Sequence, residues 1–374
     1  RMIRLALNHH RALNRVRRSP ISPPPMSIRR ARRGVTLIEL LITVSILAIL
    51  AALILGATAS ATEAARRAKT RTIISKIHAL VMERYNSYKT RRVDVSPNLV
   101  NWVNLNYRRN PQTRGRMMAD LRLLALRELM KYEMPDRWSD ITGVNVNEPP
   151  MPPIFLSAPP SLAQNYLRRY QALDPSGSIA ENQGAECLYM VVMLATGNGE
   201  ARTHFGEQDI GDTDNDGAPE FLDGWGNPIH WLRWPAGFAV ESTLITGFDP
   251  SGNIQLGYTP AQHHDPFDPF RRDQPDSLPG VQEYQGIPVN LGLIVKLREE
   301  PSAFRLVPLI YSAGPDGISD IVTAREVVTG RRIFLDPYYV DPDERVIVAG
   351  RPIDANNDGN NWVDNIHNHQ TDNQ

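Results

Sequence analysis

The chain has 374 residues, with 41 Lys plus Arg, 41 Asp plus Glu and one cysteine, Cys187. That length accommodates a membrane helix and one sizeable globular domain, and a single cysteine excludes an intramolecular disulfide framework. The net charge of zero sums unlike parts: residues 1–34 hold ten arginines and no acid, leaving 31 basic residues against 41 acids in the remainder.

The arginines sit directly before an apolar run. From Val35 to Leu55 the only polar residues are Thr36, Glu39, Thr43 and Ser45, and as a helix this run rises about 30 Å, the thickness of a hydrocarbon core. Positive-inside topology accounts for the basic cluster better than nucleic-acid binding does, so no nucleic-acid partner is expected. The basic end should stay cytoplasmic and the acidic body should cross. Glu39 is the anomaly, because a carboxylate at the head of a lipid-facing helix is costly and calls for a partner or a function.

The residues Gly34-Val-Thr-Leu-Ile-Glu39, with Arg29, Arg30, Arg32 and Arg33 before them and an apolar helix after them, resemble the processing site of type IV prepilins and type II secretion pseudopilins. The resemblance implies that a membrane prepilin peptidase cuts between Gly34 and Val35 and methylates the new amino terminus. Physically, the amine of Val35 and the Glu39 carboxylate of a neighbouring subunit could then pair, each offsetting the other's desolvation and fixing the stagger of packed helices. Met26 offers a start for a short basic leader, with Arg1 to Pro25 an over-extended gene reading. The competing reading is an ordinary signal anchor with a snorkelling glutamate. A cleaved secretory signal lacks its small-x-small site.

Beyond Leu55 the chain turns alanine-rich, and Arg66, Arg67 and Lys69 mark an exit from lipid. Ile74, Ile77, Val81, Tyr85 and Tyr88 recur at three- and four-residue spacing, which continues one helix face. The expected organisation is a basic leader over 1–34, a long helix over 35–95 whose part 35–55 spans the membrane, a helical, proline-rich insertion over 96–180, an α+β domain over 181–345 and a polar tail over 346–374. Met117 to Tyr132 and Ser161 to Leu173 read as amphipathic helices on either side of Glu148-Pro-Pro-Met-Pro-Pro153, and Glu181 to Thr196 reads as a buried helix. Strand-like composition falls at 228–234, 291–297, 304–311 and 333–340, with a polar surface excursion over 237–285. The fold class is therefore α+β, pilin-like: a long N-terminal transmembrane helix continuing into a globular domain with a small antiparallel sheet and a helical insertion.

The strongest chemical signal in the body is Asp212-Thr-Asp214-Asn-Asp216-Gly217-Ala218-Pro-Glu220-Phe-Leu-Asp223. Its offsets match those of a twelve-residue calcium loop, with Asp212, Asp214, Asp216, Glu220 and Asp223 supplying side-chain oxygens, Ala218 a carbonyl and Gly217 the turn. Pro219 and the lack of a second flanking helix make it an isolated loop, and a solvated acidic turn is the alternative. Calcium (Ca2+) would serve here as a structural cofactor in place of disulfides. A second candidate is Asp354-Ala-Asn356-Asn-Asp358-Gly359 with Asp364 one residue short of the closing position; a polar disordered tail competes with it. His263, His264 and Asp265, and the pair His367 and His369, are weaker candidates for a transition metal.

Asp223-Gly-Trp225-Gly-Asn227-Pro228 and Tyr311-Ser-Ala-Gly-Pro-Asp316-Gly317 are similar to segments of the major pseudopilin of type II secretion. The chain is much longer than that subunit and its acidic loop precedes the tryptophan turn, so no metal role is carried over to Asp316 or Asp320. No catalytic constellation forms: GxSxG, HExxH and phosphate-loop patterns are absent from the sequence, and Cys187 has no suitably spaced histidine. The expectation is a non-enzymatic structural subunit of a periplasmic pseudopilus for protein secretion, held in the inner membrane and polymerised with other pseudopilins on an inner-membrane assembly platform. A type IV pilin or DNA-uptake pseudopilin is the nearest alternative; a membrane-anchored calcium-binding module is the alternative from another class.

Overall fold

The computed structural model describes residues 34–142, 153–173, 181–195, 201–238, 245–248, 254–256, 264–270, 305–323, 337, 349–353 and 364–371. The chain divides into two compact units, Arg1–Thr58 and Ala59–Gln374.

In the first unit, helix α1 (Leu37–Ser87) begins. It starts two residues after the expected Val35 because Thr36 stands outside it as a cap, its Oγ1 accepting from Glu39 N at 3.2 Å. Thr43 and Ser45 return their hydroxyls to Leu40 O (2.8 Å) and Leu41 O (2.9 Å). Their polar groups are therefore satisfied inside the helix, as a lipid-facing segment requires. Every large apolar side chain from Val35 to Leu55 is exposed. Among the described residues, α1 is the one helix long and apolar enough to cross a membrane.

In the second unit, the outer part of α1 buries one stripe, Ile74, Ile77, Val81 and Tyr85, which Tyr88 continues just past the helix end, as the spacing predicts, with Ile73 and Thr70 beside them. The stripe shares a core with helix α3 (Pro111–Glu133), which contributes Met117, Leu121, Leu124 and Ala125, and with Leu188, Val191 and Val192 of α6 (Gln183–Ala195). Between α1 and α3 runs a short helix, α2 (Pro97–Asn106), which the sequence reading did not separate. Helices α4 (Ser139–Thr142) and α5 (Ser161–Tyr170) follow, and Trp138, Tyr166, Tyr170, Cys187 and Met190 form a second apolar cluster that also includes Ala218. After α6 comes a short α7 (Ala201–His204).

The strands are short and antiparallel. β1 (Ile210–Gly211) pairs with β2 (Glu220–Phe221), and β3 (Ile229–Leu232), β6 (Leu309–Ser312) and β7 (Ile366–His367) form a three-stranded sheet in the order β3-β6-β7. Its register places Ile229 opposite Ser312 and Tyr311 opposite His367. A hairpin of β4 (Ile245–Phe248) and β5 (Ile254–Leu256) occupies part of the expected surface excursion. β7 and α8 (Asn368–Thr371) lie where the sequence reads as polar tail; Asn368 makes that segment structural by accepting from Ile310 N and donating to Pro308 O. The strand expected at 291–297 lies outside the described residues, as does the one at 333–340 apart from Pro337.

Charged groups cross this core in pairs. Glu133 at the end of α3 meets Arg84 at 3.0 Å, Arg91 at 2.8 Å and the Tyr88 hydroxyl at 2.6 Å, tying the C-terminal end of α1 to α3. Buried Arg233 after β3 donates to Asp140 at 2.9 Å, and Arg127 pairs with Asp265 at 3.2 Å. Removing one member of such a pair would strand a buried charge.

Candidate functional site

The expected processing junction consists of Gly34, Val35 and Glu39. All three are exposed. A Cβ added at Gly34 would meet nothing within 4 Å, so packing in this fold does not demand a glycine there. Glu39 is the third residue of α1 and follows Thr36 at the spacing of a capping box. A carboxylate in the first turn of a helix is stabilised by the helix dipole. That accounts for an acid in water and leaves the cost in lipid to be offset by another charge.

The acidic loop is the connection of the β1–β2 hairpin. Gly211 and Glu220 face each other across the ladder, so the chain between them must reverse within eight residues. Asn215 (φ 60°) and Gly217 (φ 93°) make the reversal in the left-handed region. Asp212 Oδ2 accepts from Gly217 N at 3.0 Å and Asp216 Oδ1 from Ala218 N at 2.7 Å, which closes the loop on itself. Glu220 is held by Thr213 N at 3.1 Å, and Asn182, just before α6, donates to Thr213 Oγ1 at 2.8 Å.

Two sets of carboxylates converge on Asp214. Asp212, Asp214 and Asp216 each place an oxygen within 4.8 Å of the others, and so do Glu186, Asp214 and Glu220. Glu186 comes from the first turn of α6 and was missed in the sequence, although its Oε2 is fixed in place by the indole N–H of Trp138. Burial and the charge of Asp216 push Glu186 up to about 9. Burial, with the charges of Asp214 and Asp212, takes Glu220 to about 7, and Asp214 is raised by burial and by Asp216.

Asp223, expected to close the loop, is elsewhere. Its Oδ1 accepts from Trp225 N (2.8 Å) and Asn227 N (2.9 Å), and its Oδ2 from Ser312 Oγ (2.6 Å). The physical reason is β2: from Glu220 the chain runs along a strand away from the loop, so residue 223 lies past it and organises the next turn. That turn presses on α1. Gly224 N donates to Thr70 Oγ1 at 2.9 Å, Trp225 Nε1 to Glu63 Oε2 at 3.1 Å, and a Cβ at Gly224 would stand 2.3 Å from Arg66 O. Ala218 is buried in the apolar cluster under the loop.

Of the second candidate loop, Asp354, Asn356 and Asp358 lie outside the described residues, and Asp364 lies near Asp316 and Asp320, whose charges join burial in raising it. His263 is also outside them; Asp265 is engaged by Arg127 and by Phe267 N. His367 and His369 are buried, with ring centroids 6.0 Å apart, and pack on Phe238. Neither belongs to a gathered ligand set among the described residues. Cys187 is buried, and burial raises its thiol well above the usual range, as befits a packing residue.

An exposed apolar helix of this length fits a protein anchored in a membrane at its amino-terminal side. The chain carries a prokaryotic N-terminal methylation motif at residues 29–55, followed by the long apolar helix α1, consistent with a type IV pilin-like protein. The motif implies processing by a prepilin peptidase and assembly with other pilin-like subunits. No curated protein and no solved structure matches the chain.

Proposed function

We propose that this protein is a pseudopilin, a structural subunit of a type II secretion-type pseudopilus. The precursor sits in the inner membrane with its arginines cytoplasmic and its body periplasmic, is cut after Gly34, and polymerises through the helix beginning near Val35. The observation that carries this reading is the methylation motif running without interruption into a helix whose apolar side chains from Val35 to Leu55 are all exposed. Those side chains need lipid before assembly and neighbouring copies of the same helix after it. The similarity of the Asp223-Gly-Trp225-Gly-Asn227-Pro228 turn to the major pseudopilin supports secretion over adhesion, and that turn packs on α1 through Thr70 and Glu63.

The test is assembly of Glu39→Gln, which keeps the side-chain size and the Thr36 cap while removing the charge. Processing should continue and incorporation into filaments should fall at least about tenfold, the loss of roughly 1.4 kcal/mol per contact. Filaments formed by Glu39→Gln at wild-type level would count against a subunit that packs through this acid.

A further inference from the structure

We propose that Asp212, Asp214, Asp216 and Glu220 of the β1–β2 loop, joined by Glu186 from α6, hold one calcium ion that clamps the hairpin to the helix. The acidic loop alone would be satisfied by water. What distinguishes this one is the state of the oxygens facing inward: Oε1 of Glu186 is buried without a hydrogen-bond partner, and the buried carboxylate oxygens of Asp214 are approached only by amides of their own loop. Glu186 is 1% exposed. Its other oxygen is taken by Trp138, which leaves Oε1 open on a side chain that places a carboxylate oxygen within 4.8 Å of those of Asp214 and Glu220.

Carboxylates brought together out of water repel one another, and a divalent cation at their centre supplies what the protein does not. The donors are all hard oxygens, with neither imidazole nor thiolate in either gathered set. That excludes the sites zinc, copper or nickel prefer. Magnesium demands a tight octahedron and keeps its waters, whereas calcium takes six to eight oxygens in flexible geometry. Two sets of three carboxylates that share Asp214 offer hard oxygens of that kind, and water can complete the shell. Glu186 thereby takes the closing role that a twelve-residue loop would give to its last residue, which here is Asp223 and is bound to Ser312. The clamp is non-local: α6 and the hairpin are joined through charge as well as through Asn182.

The experiment uses the full chain in detergent, stripped with chelator and titrated with terbium as a luminescent calcium substitute excited through tryptophan. Terbium emission should rise, calcium should displace it, and magnesium at equal concentration should not. Glu186→Gln and Asp214→Asn should each weaken calcium competition by about tenfold or more, with helix content by circular dichroism retained. Trp138→Phe keeps every carboxylate but releases Glu186 Oε2 from the indole N–H, and it should lower the sensitised emission, because that indole touches Glu186. Wild-type affinity in both carboxylate variants, or unchanged emission in Trp138→Phe, would overturn the proposal.

Discussion

Glu128 gives the sharpest handle on how the segment at 154–156 is fastened to α3. It lies on α3, is 1% exposed, and its carboxylate accepts from three successive backbone amides: Ile154 N to Oε1 at 2.8 Å, and Phe155 N and Leu156 N to Oε2 at 2.8 and 2.9 Å. The same segment bridges to the strand-like residues after α1, with Val95 opposite Leu156 and Ser96 N donating to Phe155 O at 2.7 Å. Glu128→Gln can keep the two bonds at one oxygen, but its NH2 then faces the Ile154 amide, donor against donor. A buried unsatisfied donor costs about 1–3 kcal/mol, and the two retained bonds lose their charge assistance. Burial raises the Glu128 carboxyl, so relief of desolvation offsets part of this, leaving a net loss of about 1–3 kcal/mol. Glu128→Ala strands all three amides and should cost more. Urea denaturation of the full chain in detergent measures the loss, and hydrogen exchange at 154–156 localises it, these amides exchanging roughly 5- to 100-fold faster in Glu128→Gln. Unchanged exchange there, with stability within about 0.5 kcal/mol of wild type, would refute the pinning role.

Gly224→Ala should cost about 1–3 kcal/mol and loosen the tryptophan turn from α1, because the new methyl would meet the Arg66 carbonyl at 2.3 Å; an unchanged melting temperature contradicts that close approach. His367 and His369 set an acid limit. Burial lowers them from 6.5 to about 4 and about 3, with His367 and His78 adding to the shift at His369. Well above pH 6.5 folded and unfolded states are both neutral at these rings. As the pH falls below that value the unfolded chain takes up protons that the folded chain refuses, so stability is lost. Between about pH 7.5 and 5.5 the two rings should together cost roughly 2–3 kcal/mol. Measuring the wild type against His367→Gln with His369→Gln at both pH values isolates their share, and equal pH slopes in the two chains would contradict it.

How much of this was legible in the sequence differed by element. The apolar run and the three- and four-residue spacing of Ile74, Ile77, Val81, Tyr85 and Tyr88 specify α1 and its buried face, because local periodicity is enough to define a helix and its core side. The same holds for α3, whose Met117, Leu121, Leu124 and Ala125 are buried as read. Composition located β3 and β6 to within a few residues. It could not find β7, whose two residues sit among asparagines and are strand only because β6 offers them a partner. The hairpin reversal at Asn215 and Gly217 follows from the Asp-x-Asp-x-Asp-Gly pattern. The meeting of Glu186 with that loop does not, since 28 residues separate Glu186 from Asp214 and only the packed fold brings them together. One local signal was available: Glu186 is an acid within the apolar stretch Ala185-Glu-Cys-Leu-Tyr-Met-Val-Val, and a buried acid needs a partner. Asp223 misled because its offset fits a calcium loop, while its neighbours Gly224 and Trp225 make it the hub of a turn.

Intact-mass and amino-terminal analysis of the chain purified from its own cells tests the central claim most directly. A mature polypeptide beginning at Val35 with a methylated amine is the expected result, and Gly34→Asp should accumulate uncut precursor. A mature chain that retains Gly34 and the arginines before it would contradict the pilin-like account.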